Sequence, residues 1–558
     1  MEEKNNETGF QAIINKRNSC LTRFFWLIAL SASIGGLLFH LVVLYRKYGY
    51  EPDLGVKISQ KPMRDIPFPA ITICSPVFAK NNIVNYRKFG MFFEMTGKNL
   101  TTEQKNYFAA NYQVCNPSDE IGDYEIVSHF LKKRTDFDLI KLVEETSLNV
   151  TDLMLVCAVH GVPIDCTKIF TRVLTDFGLC FTFNMQANEI IYNSIASDSF
   201  KARTPETWNK SNKTNKRAVW TLDKSFPKDF KDDQIPYRAV KKNRLSILLN
   251  LKQENAENFC PTMGKVFTTI LHLPNEVPTI FHDQYFTQYN YGRRFLLSAI
   301  SYKANNDIRK YSPKARGCYF DDERKLKFFK TYTRTHCNFE CLSNYSLKIC
   351  GCVKFSMPHD KDTPICDLAV KQCYVDALNQ WPEKIDGNKV VCNCLPTCNH
   401  VSYKLKNSKE ILIDYVDDFL GSALRPVNST DAMLSFRFIE PIATEHQKFI
   451  AYRFENFMAD IGGLLGLFMG CSLITFVEIF YTIARLFFDK QKKKNAVEKI
   501  EINADENEMY KSKQVHQILK DFQLNQREVI KRILKIEENV EQTKREIKFL
   551  KSMHTFER

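Results

Sequence analysis

From Phe24 to Tyr45 the chain reads FFWLIALSASIGGLLFHLVVLY, an uncharged run between Arg23 and the pair Arg46-Lys47. As a helix rising 1.5 Å per residue it would reach about 33 Å, enough for a hydrocarbon core of about 30 Å. A secretory signal sequence is the rival, but its apolar core is shorter, roughly 7 to 15 residues, and this segment lacks an obvious small-x-small exit site. A second apolar stretch, IGGLLGLFMGCSLITFVEIFYTIARLFF, runs from Ile461 to Phe488 and stops at the basic run DKQKKK. Mean hydropathy over the whole chain is negative, so membrane segments are few. Two spans place both termini on one side, and Lys490, Lys492, Lys493 and Lys494 mark that side as the cytoplasm. The expected layout is a cytoplasmic N-terminus 1–23, a span 24–45, an extracellular domain 46–457, a second span with its outer mouth 458–488, a basic linker 489–510 and a cytoplasmic helix 511–558.

Three counts test that layout. Of the 18 cysteines only Cys20 and Cys471 lie outside the extracellular interval, which leaves an even set in an oxidising compartment where pairing is expected. Glycosylation sequons at Asn99, Asn149, Asn209, Asn212, Asn344 and Asn428 all fall in the same interval, and a seventh at Asn6 is read as chance. The net charge of +14 is spread along the chain, and its densest run abuts a span, where basic residues meet anionic lipid; this argues against nucleic acid as a partner.

Ten cysteines, at 318, 337, 341, 350, 352, 366, 373, 392, 394 and 398, follow a near-mirror spacing that suggests nested bridges. The stretch ERKLKFFKTYTRTHCNFECL has apolar residues at helical spacing. Cys337 and Cys341, at i and i+4, would share one helix face, and Cys392 and Cys394 one face of an extended partner. A zinc cluster is the rival for such spacing, and connectivity stays open from the residues alone.

In the second span Gly462, Gly466 and Gly470 recur every four residues, a stripe that lets backbones approach. Helix packing accounts for that stripe. The added feature is Gly470-Cys471-Ser472, where a glycine can turn carbonyls toward an axis and a hydroxyl sits among apolar neighbours. Irregular backbone at membrane depth is tolerated where it lines a wet cavity. Glu478 is costly in lipid and reads as an inward-facing carboxylate, with an ion pair to Arg485 as the alternative.

FPAITIC (68–74), GLCFTFN (178–184), HLPNEVP (272–278), the cysteine array and GGLLGLFMGCS resemble the degenerin and epithelial sodium channel superfamily, and CNFECLSNYSLKICGCVKFSMP resembles its insect pickpocket branch. The resemblance covers roughly Gly9 to Arg485. It implies an α+β membrane protein: a trimer of subunits with two transmembrane helices flanking a disulfide-rich extracellular domain, with a palm β-sheet and helical finger and thumb. It implies the pairs Cys318–Cys398, Cys337–Cys394, Cys341–Cys392, Cys350–Cys373 and Cys352–Cys366, and further Cys74–Cys260, Cys115–Cys180 and Cys157–Cys166. It makes Gly470, Cys471 and Ser472 a selectivity filter, Asp460 an acidic residue at the outer mouth and Ala459 the small residue that lets the pore close. Such channels prefer sodium and are commonly blocked by amiloride. The family's His-Gly dipeptide before the first span becomes Thr8-Gly9 here, which leaves the N-terminal gating motif altered.

Beyond a polar spacer, Leu519, Phe522, Gln526, Val529, Ile533, Ile536, Val540, Thr543, Ile547 and Leu550 alternate by three and four, an a/d seam of about five heptads. A three-stranded coiled coil is expected, with a single amphipathic helix on the membrane or on calmodulin as its rival. No nucleophile elbow, phosphate loop or zinc-protease helix is present, so an enzyme is not expected. The function expected is a plasma-membrane sodium channel opened from outside by a mechanical, osmotic or chemical stimulus, homomeric or with related subunits, needing no cofactor beyond permeant Na+. The alternative is a non-conducting receptor, adhesion protein or auxiliary subunit.

Overall fold

The computed structural model describes residues 13, 19–85, 101–115, 138–202, 220–222, 226, 237–239, 244–251, 266–381, 392–412, 430–470, 474, 477, 480–491 and 517–532. The chain divides into two compact units, Val43–Phe457 and a second built from the segments before and after it.

The first helix, α1 (Cys20–Gly49), outlasts the uncharged run at both ends. Among the described residues it is the helix long and apolar enough to cross a membrane. Most of its side chains are exposed, Phe24 by 64% and Phe39 by 66%, as a lipid-facing surface would be, while Leu37 is buried.

Thirteen strands of the larger unit are described: β1 (Leu54–Pro62), β2 (Ala70–Cys74), β3 (Met154–Val159), β4 (Val162–Ile164), β5 (Phe170–Thr175), β6 (Gly178–Phe183), β7 (Arg244–Asn250), β8 (Val266–His272), β9 (Gln284–Gln288), β10 (Tyr291–Ala304), β11 (His400–Leu412), β12 (Asp431–Phe438) and β13 (Ile442–Ile450). Eight form one sheet in the order β1-β13-β10-β12-β7-β3-β4, with β11 also on β10. The 14-residue β10 is its spine. It pairs antiparallel with β11 along one edge and shares the other between β12 and β13, both parallel to it. Antiparallel β5-β6-β2-β8-β9 make the second sheet. β2 and β6 are buried at every position, and the polar residues they carry, Thr72 and Thr182, meet each other at 2.7 Å. One core joins the two sheets through Phe68, Phe183, Phe267, Phe295 and Phe436, with Phe295 stacked on Phe436 at 4.5 Å.

Helices α2 (Thr102–Cys115) and α3 (Leu139–Thr146) pack beside the second sheet, with Ala110, Val114, Ile140 and Val143 buried against Phe78 and Leu174. The stapled lobe is built on α4 (Arg334–Cys350) and α5 (Lys371–Gln380). The helical spacing seen from Glu323 onward does not become helix until Arg334. Glu340 explains the late start, because its carboxylate accepts the backbone N–H groups of Lys327 (2.8 Å) and Phe328 (3.0 Å) and holds them outside the helix. Thr333 then caps α4 by accepting the His336 N–H, and Gly351 ends it at φ 71°.

All ten cysteines of the array are disulfide-bonded in the five pairs the resemblance implied, so the zinc rival falls. Cys157–Cys166 is also formed. Cys74 is a correction: it bonds Cys180, not Cys260, and Cys115 therefore does not take Cys180. Strand register is the reason. Ile73 lies opposite Phe181 in the β2–β6 ladder, so the next rung sets Cys74 against Cys180, with Cα atoms 4.5 Å apart. Cys115 closes α2, and Cys260 lies outside the described residues.

Candidate functional site: a helix that ends at Gly470

Helix α6 runs Phe454–Met469. Gly470 adopts φ 66°, the left-handed conformation that ends helices at small cost only for glycine, and its N–H still reaches the Gly466 carbonyl at 3.0 Å. Helical backbone is present again at 474, 477 and 480–491. A helix end leaves its last carbonyls without intrahelical donors. One of them, on Phe468, accepts the hydroxyl of Ser33 from α1.

The two helices touch where a glycine allows it, but not on the expected stripe. A Cβ on Gly36 of α1 would lie 2.7 Å from the Phe468 ring, so Gly36 is the close-approach residue, and the His40 ring lies against the same phenyl group at 5.8 Å. A Cβ on Gly462, Gly463 or Gly470 would meet nothing within 4 Å. Ala459, Asp460, Gly462, Gly463, Gly466 and Gly470 are all exposed. Packing against α1 therefore does not account for Gly462, Gly463 or Gly470.

Cys471, Ser472 and Glu478 lie outside the described residues, as do Thr8 and Gly9. Arg485, the rival partner for Glu478, lies 3.9 Å from Asp489 four residues on. Of the sequons, Asn149 and Asn344 are exposed on the surface, while Asn99, Asn209, Asn212 and Asn428 lie outside the described residues. Helix 517–532 carries Leu519, Phe522, Gln526 and Val529 of the expected seam, with Leu519 57% exposed.

In the larger unit the HLPNEVP motif carries a buried polar cluster that the residue reading did not foresee. Glu276 accepts from His282 at 3.2 Å, His272 bonds Thr72 at 2.9 Å, and His336 of α4 accepts the Val277 N–H at 3.3 Å. Burial alone would push the Glu276 carboxyl up. The His282 hydrogen bond, the charges of His282 and His336 and the Thr333 hydroxyl outweigh it and hold the group at about 2. Burial pushes His272 down to about 3 and His336 to about 4, so both are neutral near pH 7. A cavity of about 290 Å³ opens beside the cluster, between the β8–β9 connection, the first turn of α4 and the start of β11. A second pair crosses from the lobe to the five-stranded sheet: the buried Lys354 bonds the half-buried Asp176 at 2.7 Å, and Ser356 donates to the same carboxylate at 2.8 Å. Both clusters join residues far apart in sequence, and isolated Asp, Glu, Lys and His residues gave no signal of it.

The family model for the amiloride-sensitive sodium channel matches residues 3–482. The chain is 26% identical over 470 residues to pickpocket protein 28 of Drosophila melanogaster, spanning 80% of this chain and 73% of that protein. It is 23% identical over 517 residues to acid-sensing ion channel 1C of Danio rerio, spanning 87% and 83%. It is equally identical over 513 residues to acid-sensing ion channel 2 of Rattus norvegicus, spanning 87% and 86%. With the sheet-built, disulfide-stapled unit and the apolar first helix, this match over nearly the whole length identifies the chain as a member of the amiloride-sensitive sodium channel family.

Proposed function

We propose that three subunits, copies of this chain or of it and its relatives, form a sodium-preferring, amiloride-sensitive cation channel of the plasma membrane, opened from the extracellular side. The observation that supports this most is the end of α6 at Gly470 with its small residues exposed. In a trimer each such position becomes a ring of three, and carbonyls freed at a helix end can replace part of a cation's water shell. Gly470, Cys471 and Ser472 form the filter in this reading. Asp460 gathers cations at the mouth, Ala459 leaves room for closure, and Glu478 forms an inner carboxylate ring. The segment from 458 to 488 is the second span, both termini are cytoplasmic, Thr8-Gly9 takes the place of the gating dipeptide, and the tail from 511 gathers into a trimeric coiled coil. Sodium is the cargo, and no cofactor is required.

The experiment is a recording from cells expressing the chain with Ala459→Val. A standing inward sodium current blocked by amiloride is expected, because a bulkier side chain at Ala459 obstructs closure. Surface-delivered protein with no current above that of untransfected cells would instead favour a non-conducting receptor.

A further inference from the structure

Across the two apolar helices the hydroxyl of Ser33 donates to the Phe468 carbonyl. Ser33 stands near the middle of the uncharged run Phe24–Tyr45, where a hydroxyl has no water to bond. A serine in such a helix commonly returns its proton to a carbonyl one turn back. This one reaches α6 instead, and it does so two residues before the left-handed turn at Gly470. Carbonyls in the last turn of a helix have no intrahelical donor, so the bond takes up a group that would otherwise turn to water or to a cation.

The bond is one side of a seat. Ser33, Gly36, Leu37 and His40 fall at i, i+3, i+4 and i+7, one face of α1, and Leu37 is the buried side chain of that helix. On α6 Ile461, Leu464, Leu465 and Phe468 are half-buried at the same spacing. Gly36 makes room for the Phe468 ring, which a Cβ would meet at 2.7 Å, and the His40 ring lies against it at 5.8 Å. The seat decides which way the rest of α6 looks. At about 100° per residue, Ala459, Gly463 and Gly466 lie within about 40° of the point opposite Phe468. All three are exposed, and so is Gly470, whose N–H keeps it on the Gly466 side.

We infer that Ser33 is a positioning residue for ion selection: by holding Phe468 in the seat beside Gly36 and His40 it fixes the rotation of α6, and so aims the small-residue face and the turn at Gly470 away from α1. A filter made of backbone groups selects by the number and placement of its oxygens, so a helix free to turn about its own axis would blur both. The inference deepens the channel reading and rests on it, and one arm of its test needs no current.

The test uses the full chain. Phe-Met occurs twice in it, at 457–458 and 468–469, so carbonyl-labelled phenylalanine next to nitrogen-labelled methionine, in a Met458→Leu parent in lipid nanodiscs, gives a magnetic resonance signal from the Phe468 carbonyl alone. Ser33→Ala is expected to move that signal toward the position of an unbonded carbonyl, and Ser33→Thr, which keeps the hydroxyl, to leave it in place. In cells expressing the chain with Ala459→Val, Ser33→Ala should lower the permeability ratio of Na+ over K+, read from reversal potentials, by about two- to tenfold, the worth of one hydrogen bond between membrane helices. Ser33→Thr should restore the ratio. A carbonyl signal unmoved in Ser33→Ala, or a moved signal with an unchanged ratio, would overturn the inference while leaving the channel reading intact. No current in the Ala459→Val parent would end the channel reading and this inference with it. Should Ser33→Ala not reach the surface, Gly36→Ala takes its place, because its Cβ displaces the Phe468 ring: a moved signal with a lowered ratio supports the seat, and an unchanged signal or ratio overturns it.

Discussion

Between Cys318 and Cys398 five disulfides close loops nested inside one another, whereas Cys74–Cys180 closes a span of 106 residues across two strands of the five-stranded sheet. The difference separates two uses of the same bond. In a chain-entropy account a staple stabilises according to the loop it newly closes. Within the nest each bond closes little that its neighbours have not already closed, so the lobe gains stiffness more than stability. In the sheet the long span makes one bond a large contribution to holding the fold together.

That contrast can be broken in order of size. Replacing Cys74 and Cys180 together by alanine is expected to cost roughly 5 kcal/mol, measured by denaturant unfolding of the larger unit's signal in the full chain. Lys354→Met tests the tie between the two regions. It leaves the half-buried Asp176 carboxylate with Ser356 as its remaining partner and is expected to cost about 2 to 3 kcal/mol, while Lys354→Met with Asp176→Leu recovers most of the loss. Replacing Cys337 and Cys394, inside the nest, should cost only about 2 kcal/mol. A loss equal to that of the sheet bond would refute the distinction.

Acid sharpens the comparison further, because the buried cluster joins His272 of the sheet to His336 of the lobe. Both histidines have folded values below the ordinary 6.5, so the unfolded chain binds their protons first. Their stability is complete above pH 6.5 and is lost as pH falls toward 4 and then 3. Glu276 is depressed from 4.5 to about 2, so its share is present above 4.5 and is lost below that. Melting temperature should therefore begin to fall below pH 6.5, and His336→Gln should flatten the upper part of that slope. A slope unchanged in His336→Gln would remove His336 from the titration. Thr333→Ala, which removes the cap of α4 together with the hydroxyl that helps hold Glu276 down, should cost about 1 to 2 kcal/mol at neutral pH by the same unfolding measurement.

The lobe was legible in the sequence because its cysteines lie close together along the chain. Spacing of i and i+4 on a helix, or i and i+2 on an extended strand, marks which cysteines share a face, and the family resemblance supplied the pairing. The sheet bond was not legible, because which strands neighbour each other, and in what register, is decided by long-range packing that no spacing records. The same divide runs through the site. Gly470 could be singled out from its place in an apolar run, and the backbone there takes φ 66°. The partner of the glycine stripe could not, since Gly36 rather than Gly462 receives the opposing ring. Lys354 gave no sequence signal, because a buried cation looks like a surface one until its carboxylate is brought to it by the fold. His272 and Glu276 sat inside the HLPNEVP motif, but His282 and His336, which complete the cluster, did not.

Whether the end of α6 at Gly470 faces water decides the transport reading. The measurement is modification of Cys471 by a small, charged, membrane-impermeant thiol reagent applied outside cells expressing Ala459→Val, read as current and as labelled protein. Rapid reaction that blocks the sodium current, and is lost in Cys471→Ala, is expected. A Cys471 that stays unlabelled in surface-delivered protein would place the segment away from any aqueous path and contradict the channel reading.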